Sequence, residues 1–579
     1  MKLIDALNIV HQRPPEGESP CLIYLASGFN PLHFRTFLAA ELSLVFKNRA
    51  VELETGLYGD LPGNIERLSN IEPESGVIML EWSDLDARLG IRSLGSWAPN
   101  VLPAILSNAR ARAEQIEEII IKAGRYAPLV VCLPTLPLLP VSFTPTWHAS
   151  ALELELKVCV ESLGAQLAQS PRIRIVSSEY INSLCPPAER WNLNTELSTG
   201  FPYRLQYASL LAGAMARLIS PPQPLKGLIT DLDDAVWRGI LGEDGVDGIS
   251  WDLNCRSHMH GAYQRMLQAL SASGVLIAAA TKNDPQLVEE AFQKRQFFLP
   301  RDAIFPLEAN WRPKSESVER ILKAWNVGAD SVVFVDDSPL ELAEVAVAHP
   351  GIKCLQFPAK DQVEINHLLL TLRDLFGKNV LLEEDLMRVK SVRQGHQQQQ
   401  DRKQSGVTPG QFLKLAEAEI DFHFGKTPLD PRAIELVNKT NQFNLNGIRK
   451  PEAYWQTWLK NPDSFLMLVS YKDKYGPLGK IAVVAGRRIG RKLFVDFWVM
   501  SCRAFSRQIE HRCLQELYSR FDVDEIEFDF AATDRNKVLE AFLNDMLGEP
   551  PFPGCILRRA LFLAKFPQKF HDVEEFTYE

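Results

Sequence analysis

The apolar positions of this chain fall into three successive sets, separated by proline-rich or polar breaks. In the first, Cys21-Leu-Ile-Tyr-Leu-Ala-Ser-Gly28 is a short apolar run ending at a glycine. That pattern predicts a buried strand followed by a turn. A helix is expected around 34–46. Apolar runs recur at 76–81 and 129–138, an amphipathic stretch covers 151–168, and Arg172–Val176 reads as a further strand. Strands alternating with helices imply a parallel sheet covered on both faces. The segment Ser220-Pro-Pro-Gln-Pro-Leu225 closes the set, because its three prolines cannot continue a helix.

The second set runs from 225 to 376, with strands expected at 227–231, 275–281 and 332–337 and helical periodicity between them. Residues 377–409 read as a helical, Gln-rich linker, polar and low in complexity over 394–406. The third set fills 410–579. Strands are expected at 464–471, 479–488, 492–501 and 524–530, and helices at 504–521 and 535–547. The expected architecture is thus a multidomain α/β protein with domains at 1–220, 225–376 and 410–579.

Composition narrows the class. The chain has 579 residues, 46% hydrophobic and 23% charged, which is ordinary for globular protein and too long for one core. A net charge of -9 argues against a general nucleic-acid binder. No apolar run is long enough to predict a membrane span. Met1-Lys-Leu-Ile-Asp5 puts an acid inside its apolar stretch and makes a poor signal peptide. The nine cysteines are scattered, odd in number and never spaced C-x-x-C. Reduced thiols, a cytoplasmic location and no zinc site are expected.

Four pieces of candidate chemistry lie in order within the second set, each at the end of an expected strand, where open α/β sheets bind ligands. Asp231-x-Asp233 offers a carboxylate nucleophile for phosphorus and a second carboxyl for proton transfer. Ala278-Ala-Ala-Thr-Lys-Asn-Asp284 offers the Thr281 hydroxyl, with Lys282, Asn283 and the turn amides beside it, for phosphoryl oxygens. Lys314, after a rigid proline in Asn310-Trp-Arg-Pro-Lys-Ser315, can neutralise charge shared by carboxylate and phosphate. Asp336 and Asp337, in Val333-Phe-Val-Asp-Asp337, complete an oxygen-rich magnesium site with Asp231 and Asp233. Each piece alone reads more readily as a solvated turn. The ordered set points to magnesium-dependent, aspartate-based phosphoryl transfer.

These motifs carry a resemblance. Asp-Leu-Asp-x-x-x-Trp-x-Gly-x-x-Gly-Glu-Asp-Gly over 231–245, with the Thr-Lys-Asn-Asp, Asn-Trp-x-Pro-Lys-Ser and Phe-Val-Asp-Asp-Ser-Pro-x-Glu pieces, resembles the FkbH-like branch of the haloacid-dehalogenase superfamily. The resemblance implies Asp231 as nucleophile, Asp233 as acid/base, Thr281 and Lys314 as phosphate binders and Asp336 with Asp337 for magnesium. One position departs: Ala235 stands where the pattern has Thr. Loss of that hydroxyl predicts a less firmly held Asp233 and a slowed phosphatase step. Only 50 residues separate Asp231 from Thr281 and 33 separate Thr281 from Lys314, so no large lid domain is expected.

The third set adds Arg503-x-x-Ser506-x-Gln508, which resembles the pyrophosphate-binding turn of acetyltransferase-like folds, with Ser506 in place of Gly. Lys439-Thr-Asn-Gln-Phe-Asn444, Met500-Ser-Cys-Arg503 and Thr533-x-x-Asn536 are similar to the C-terminal domain of FkbH-like proteins. Cys502, expected before a helix start and flanked by Arg503 and Arg507, is the candidate nucleophilic thiol. Cys255 is the runner-up, Cys513 reads as structural, and His511 as a surface histidine. Arg503, Arg507 and Asn536 are candidate substrate-binding residues. The basic run Gly486-Arg-Arg-Ile-Gly-Arg-Lys492 is expected at a hairpin tip, either to steer an acidic carrier protein or as a plain solvated turn.

The first domain looks like a degenerate SGNH-type domain. Ser27 and His148 are present, but no Gly-Asp-Ser block and no Asp-x-x-His pair, so a scaffold or docking role is expected. Together the resemblance implies a glyceryl transferase. Its donor would be 1,3-bisphosphoglycerate, a phosphorylated three-carbon acyl donor, and its acceptor the phosphopantetheine thiol of an acyl carrier protein acting in trans in polyketide biosynthesis. The acyl group would pass through a cysteine thioester. A simple magnesium-dependent phosphatase and a non-enzymatic assembly-line scaffold are the alternatives.

Overall fold

A computed structural model describes residues 1–12, 20–46, 49–93, 97–140, 143–405, 417–426, 429–450, 452–505, 507–565 and 571–576. The chain divides into two compact units, Met1–Pro222 with Pro451–Thr457, and Gln223–Lys450 with Trp458–Glu579. The first division falls inside the proline-rich segment. The expected second and third domains and the segment between them belong to one unit.

The first unit is built on β1 (Cys21–Ser27), β2 (Val51–Thr55), β3 (Ser75–Met79), β4 (Leu129–Cys132) and β5 (Ile173–Ile175). They form a parallel sheet in the order β2-β1-β3-β4-β5. Helices such as Leu32–Val45, Leu102–Ala123, Ala151–Leu167 and Leu205–Ile219 supply apolar faces to two cores. The apolar run at 129–138 is a strand only to Cys132, because Pro134 and Pro137 cannot donate to a ladder.

The second unit begins with β6 (Gly227–Thr230), β7 (Leu276–Thr281), β8 (Ile304–Ala309), β9 (Val332–Asp336) and β10 (Lys353–Gln356), all parallel in the order β10-β9-β6-β7-β8. Every residue of β6, β7 and β9 is buried, as expected of central strands with helices on both faces. β10 is an edge strand with exposed ends, and its polar alternation hid it from the sequence pattern. Gly227 permits a close approach: a Cβ there would lie 2.4 Å from the Trp325 ring. Between β6 and β7 the described chain forms only the helical segments Leu241–Gly248 and His258–Ala272, and no lid domain.

Helix Glu383–Ser405 occupies most of the expected linker, and its first half is packed rather than loose. Val392 is buried in the same core as Ile229 and Phe334, Arg388 donates to the Gly274 carbonyl, and Asp385 pairs with Lys378 and Arg388. The rest of the unit is a mixed sheet of β11 (Ala418–His423), β12 (Ser464–Asp473), β13 (Gly476–Ile489), β14 (Lys492–Met500), β15 (Glu525–Phe528), β16 (Cys555–Arg558) and β17 (His571–Phe576). Its order is β16-β15-β14-β13-β12-β11-β17, with the β14–β15 and β11–β17 pairs parallel and the other neighbours antiparallel. The overall class is α/β with separate sheets. The hairpin tip at Gly490 is as expected; Arg487 pairs with Asp496, Arg491 with Asp524 and Lys492 with Glu527, while Arg488 donates to the Gly490 carbonyl.

Candidate active site at the carboxyl ends of β6, β7 and β9

Asp231 is the first residue past β6 and is 5% exposed. Its amide donates to the Val335 carbonyl at 2.9 Å, so it still follows the line of the strand. The chain then turns sharply, with Asp234 in the left-handed region (φ 47) and its Oδ1 accepting from the Gly239 amide at 2.8 Å. Asp336 ends β9 fully buried, and Asp337 follows it half-buried. Lys314 is the first residue of helix Lys314–Trp325, fixed behind Pro313, and is 4% exposed. Its Nζ lies 3.0 Å from Asp231 Oδ2 and 2.6 Å from Asp336 Oδ2.

Asp231, Asp336 and Asp337 each present a carboxylate oxygen within 4.8 Å of the others. Burial and the charge of Asp231 push Asp336 up from the ordinary carboxylate range, and the same two causes push Asp337 up to about 6. Asp231 and Asp336 in turn hold Lys314 well above its ordinary value against the penalty of burial. Asp231 Oδ1 is buried without a hydrogen-bond partner among the described residues. Three carboxylates facing one ammonium, with an orphaned oxygen among them, fit a hard divalent cation. Asp231, Asp336 and Asp337 would hold it.

Asp233 is not part of that cluster. Its Oδ1 accepts from the Trp237 indole at 2.9 Å and the Leu241 amide at 3.1 Å, and its Oδ2 accepts from Asn283 Nδ2 at 2.9 Å. This corrects its expected place among the metal-binding carboxylates. It also removes the expected looseness at Ala235. That residue is fully buried in the core, and three donors hold Asp233 without any hydroxyl. Burial raises Asp233 above the usual range, which suits a group that delivers a proton.

Thr281 ends β7 with 3% exposure, and its Oγ1 accepts from Asn283 Nδ2 at 2.9 Å. Asn283 therefore bridges Thr281 and Asp233. Lys282 turns to Glu341 at 2.6 Å and is not placed with the carboxylates. Sequence reasoning missed Trp237 as a donor to Asp233, although the tryptophan stands in the quoted motif.

The thiol and its companions lie elsewhere. Cys502 is partly buried and opens a 3-10 turn, Cys502–Ala504, while the following helix starts only at Ile509. It is thus not at a helix start, and Ser506 lies outside the described residues. Arg507 is tied to Asp473 at 3.5 Å and to the Arg503 carbonyl, with its guanidinium over Tyr471. Asn536 is fully buried and bonded to Thr533, Asn444 and Ala531. Both are held by partners within the protein, and neither lines the cleft that holds Cys502. Cys513 is fully buried and pushed far up by burial. Cys255 is exposed, and His511 is partly buried against Phe542. In the first unit Ser27 donates to the Phe29 carbonyl at 2.9 Å and His148 is exposed.

Cys502 lines a cleft of about 920 Å³ whose other wall includes Lys226, Leu276 and Ser331. These three residues sit at the amino ends of β6, β7 and β9. The carboxylates sit at the carboxyl ends. Lys226 and Asp231 are five residues apart along an extended chain, about 16 Å at a strand's rise of about 3.3 Å per residue. The two candidate stations occupy opposite edges of one sheet.

No family model and no curated protein matches this sequence. Among solved structures, the chain is similar to the N-terminal part of protein BF1531 from Bacteroides fragilis, described as containing a phosphatase domain and complexed with Mg. The TM-score is 0.51 at 19% identity, covering 66% of this chain and 100% of that one. At that identity the likeness is one of fold. No helix among the described residues is long and apolar enough to cross a membrane.

Proposed function

We propose that this chain is a magnesium-dependent phosphatase of the haloacid-dehalogenase type, coupled in one polypeptide to an acyl-transfer domain. The observation that carries the first half is Lys314 held between Asp231 and Asp336, with Asp337 beside them and Asp233 set apart on its own three donors. The similar Bacteroides domain, described as a phosphatase with Mg, supports the same reading.

Asp231 attacks phosphorus, and the bond from phosphorus to the leaving oxygen breaks. Asp233, raised by burial and aimed by Trp237 and Asn283, delivers its proton to that oxygen. Water then attacks the aspartyl-phosphate, Asp233 takes its proton back, and phosphate leaves. Lys314 balances charge on Asp231 and the phosphoryl group throughout. Magnesium, when held by Asp231, Asp336 and Asp337, supplies positive charge against the phosphoryl oxygens. Thr281 offers its hydroxyl at the same edge.

The finer reading is glyceryl transfer. In it the Cys502 thiolate attacks the acyl carbon of 1,3-bisphosphoglycerate and the acyl phosphate leaves as inorganic phosphate, the remaining phosphate ester is removed at Asp231, and the phosphopantetheine thiol of a carrier protein takes the glyceryl group and releases Cys502. Separation of the stations constrains this scheme. The β6 strand alone puts about 16 Å between Lys226, which lines the Cys502 cleft, and Asp231, more than a three-carbon phosphoacyl group on Cys502 reaches, so phosphate removal requires the group on a longer arm or in free solution. That separation equally favours a second reading, a phosphatase acting alone. Incubation with donor and carrier protein, followed by intact-protein mass spectrometry and phosphate assay, separates the two. Phosphate release without any loaded carrier or Cys502 adduct leaves only the phosphatase. Absence of magnesium-dependent phosphate release removes both.

A further inference from the structure

We propose that the cleft beside Cys502 is an anion site for a phosphate-bearing ligand, built jointly by the amino edge of the β6 sheet and the loop after β14. It rests on the preceding section only for the role given to Cys502, since the binding claim stands on the cleft itself. Its lining holds eight Lys or Arg side chains against three Asp or Glu, in a chain whose net charge is -9. Such a concentration of one sign in a concave site focuses an attractive field for anions.

Most of these cations already have partners. Arg432 and Lys439 share Glu435, Arg535 takes Asp330, Arg388 takes Asp385 and Lys537 takes Glu540. Three have no carboxylate within ion-pair distance among the described residues: Lys226, Arg449 and Arg503. Arg503 finds only the hydroxyls of Ser391 at 3.2 Å and Ser501 at 3.4 Å, and Arg449 the amide oxygen of Asn441 at 2.7 Å. Burial, then Arg432 and Arg388, push Arg503 down to about 10, and burial likewise pushes Lys226 down. Like charges that converge on a cavity without counter-ions raise the energy of the empty site, and a bound anion lowers it.

The site is composite. Lys226 stands directly before β6, and Asn326, which follows helix Lys314–Trp325, donates to the Cys502 carbonyl at 2.9 Å. The sheet that holds the phosphatase-like carboxylates at one edge thus helps to build the thiol's surroundings at the other. A volume of about 920 Å³ accommodates a small phosphorylated acid or the phosphate end of a pantetheine arm. The shared chemistry is a phosphate dianion near the thiol.

The test is carbamidomethylation of the full chain with iodoacetamide, read per cysteine by peptide mass spectrometry. The probes are diphosphate, 3-phosphoglycerate and 4′-phosphopantetheine, each up to about 10 mM. Exposed Cys255 serves as internal reference. The expected result is slowing of Cys502 labelling by about fivefold or more with at least one probe, while Cys255 is unchanged. Which organic probe protects better identifies the ligand's source. Lys226→Met and Arg449→Met each abolish that protection, and Lys226→Arg restores it. Asp231→Asn keeps it, so failure here is distinguishable from failure of the phosphatase reading. The proposal is overturned if no probe protects Cys502, or if both Met variants are protected as well as the parent chain.

Discussion

Lys226 and Asp231 bracket the same four-residue strand, one at each end, so a cation that lines the thiol cleft and the candidate nucleophile face opposite edges of one sheet. Chemistry at the two edges should therefore be separable by mutation. Asp231→Asn is expected to lower magnesium-dependent phosphate release by about a thousandfold or more. Cys502→Ala is expected to leave release from a small phosphomonoester within about twofold, because that residue lines a cleft at the other edge of the sheet. A loss of phosphatase turnover in Cys502→Ala would contradict the separation.

The two lysines that looked alike in sequence should behave differently. Lys314 bridges two buried carboxylates, whereas Lys282 makes a partly exposed pair with Glu341. Lys314→Met should cost about a hundredfold or more in kcat/KM, as loss of a charge aimed at the transition state does. Lys282→Met should cost less than about fivefold. Steady-state kinetics on one substrate decide it, and equal losses would restore Lys282 to the site.

Trp237→Phe keeps the ring in the core and removes one donor to Asp233. Leaving a buried acceptor short of a partner is expected to cost about 1–3 kcal/mol of stability. kcat should fall about tenfold or more, with the magnesium concentration for half-activity unchanged, since Asp233 lies outside the metal cluster. A shifted magnesium requirement would show that Asp233 binds the ion.

Ala235→Thr tests the departure from the family pattern. Position 235 is fully buried among Leu232, Val236 and Trp237, so added atoms should cost about 1–3 kcal/mol through overpacking. No gain in kcat is expected, because Asp233 already has its donors. Faster turnover in this variant would mean that the hydroxyl does matter.

Stability should respond to pH and magnesium together. Asp337 is raised from 3.8 to about 6 and Asp336 is raised with it. Between those limits the folded, metal-free chain binds more protons than the unfolded chain, so stability is fullest at low pH and is lost as pH rises through the folded values. Glu81, fully buried in the first unit and raised to about 7, adds a contribution of the same sign. The melting temperature in EDTA should fall from pH 5 to pH 8. Magnesium should recover the part due to the cluster, and Asp337→Asn should weaken that recovery. An EDTA melting temperature that rises over this range would refute the assignment.

The strands that carry the candidate site were legible because central parallel strands are buried on both faces and read as unbroken apolar runs, as in Leu276–Thr281 and Val332–Asp336. Edge and half-exposed strands were not. Val51–Thr55, Lys353–Gln356 and Ala418–His423 mix polar residues into short runs that resemble loops. The Gln-rich segment reads as a linker by composition, yet its first half packs because Val392 reaches a core that local sequence does not reveal.

The sequence by itself determined which residue types stand at the ends of the β6, β7 and β9 strands and after the proline that precedes helix Lys314–Trp325, and hence Asp231, Thr281, Lys314, Asp336 and Asp337 as candidates. Those assignments depend on local order along the chain. Partnership was decided only by tertiary structure: Trp237 and Asn283 on Asp233, Glu341 on Lys282, Asp473 on Arg507, and Lys226 across a cleft from Cys502. Each of these depends on which side chains meet in space, and a hydrogen bond or an ion pair made at 3 Å is invisible to spacing along the chain.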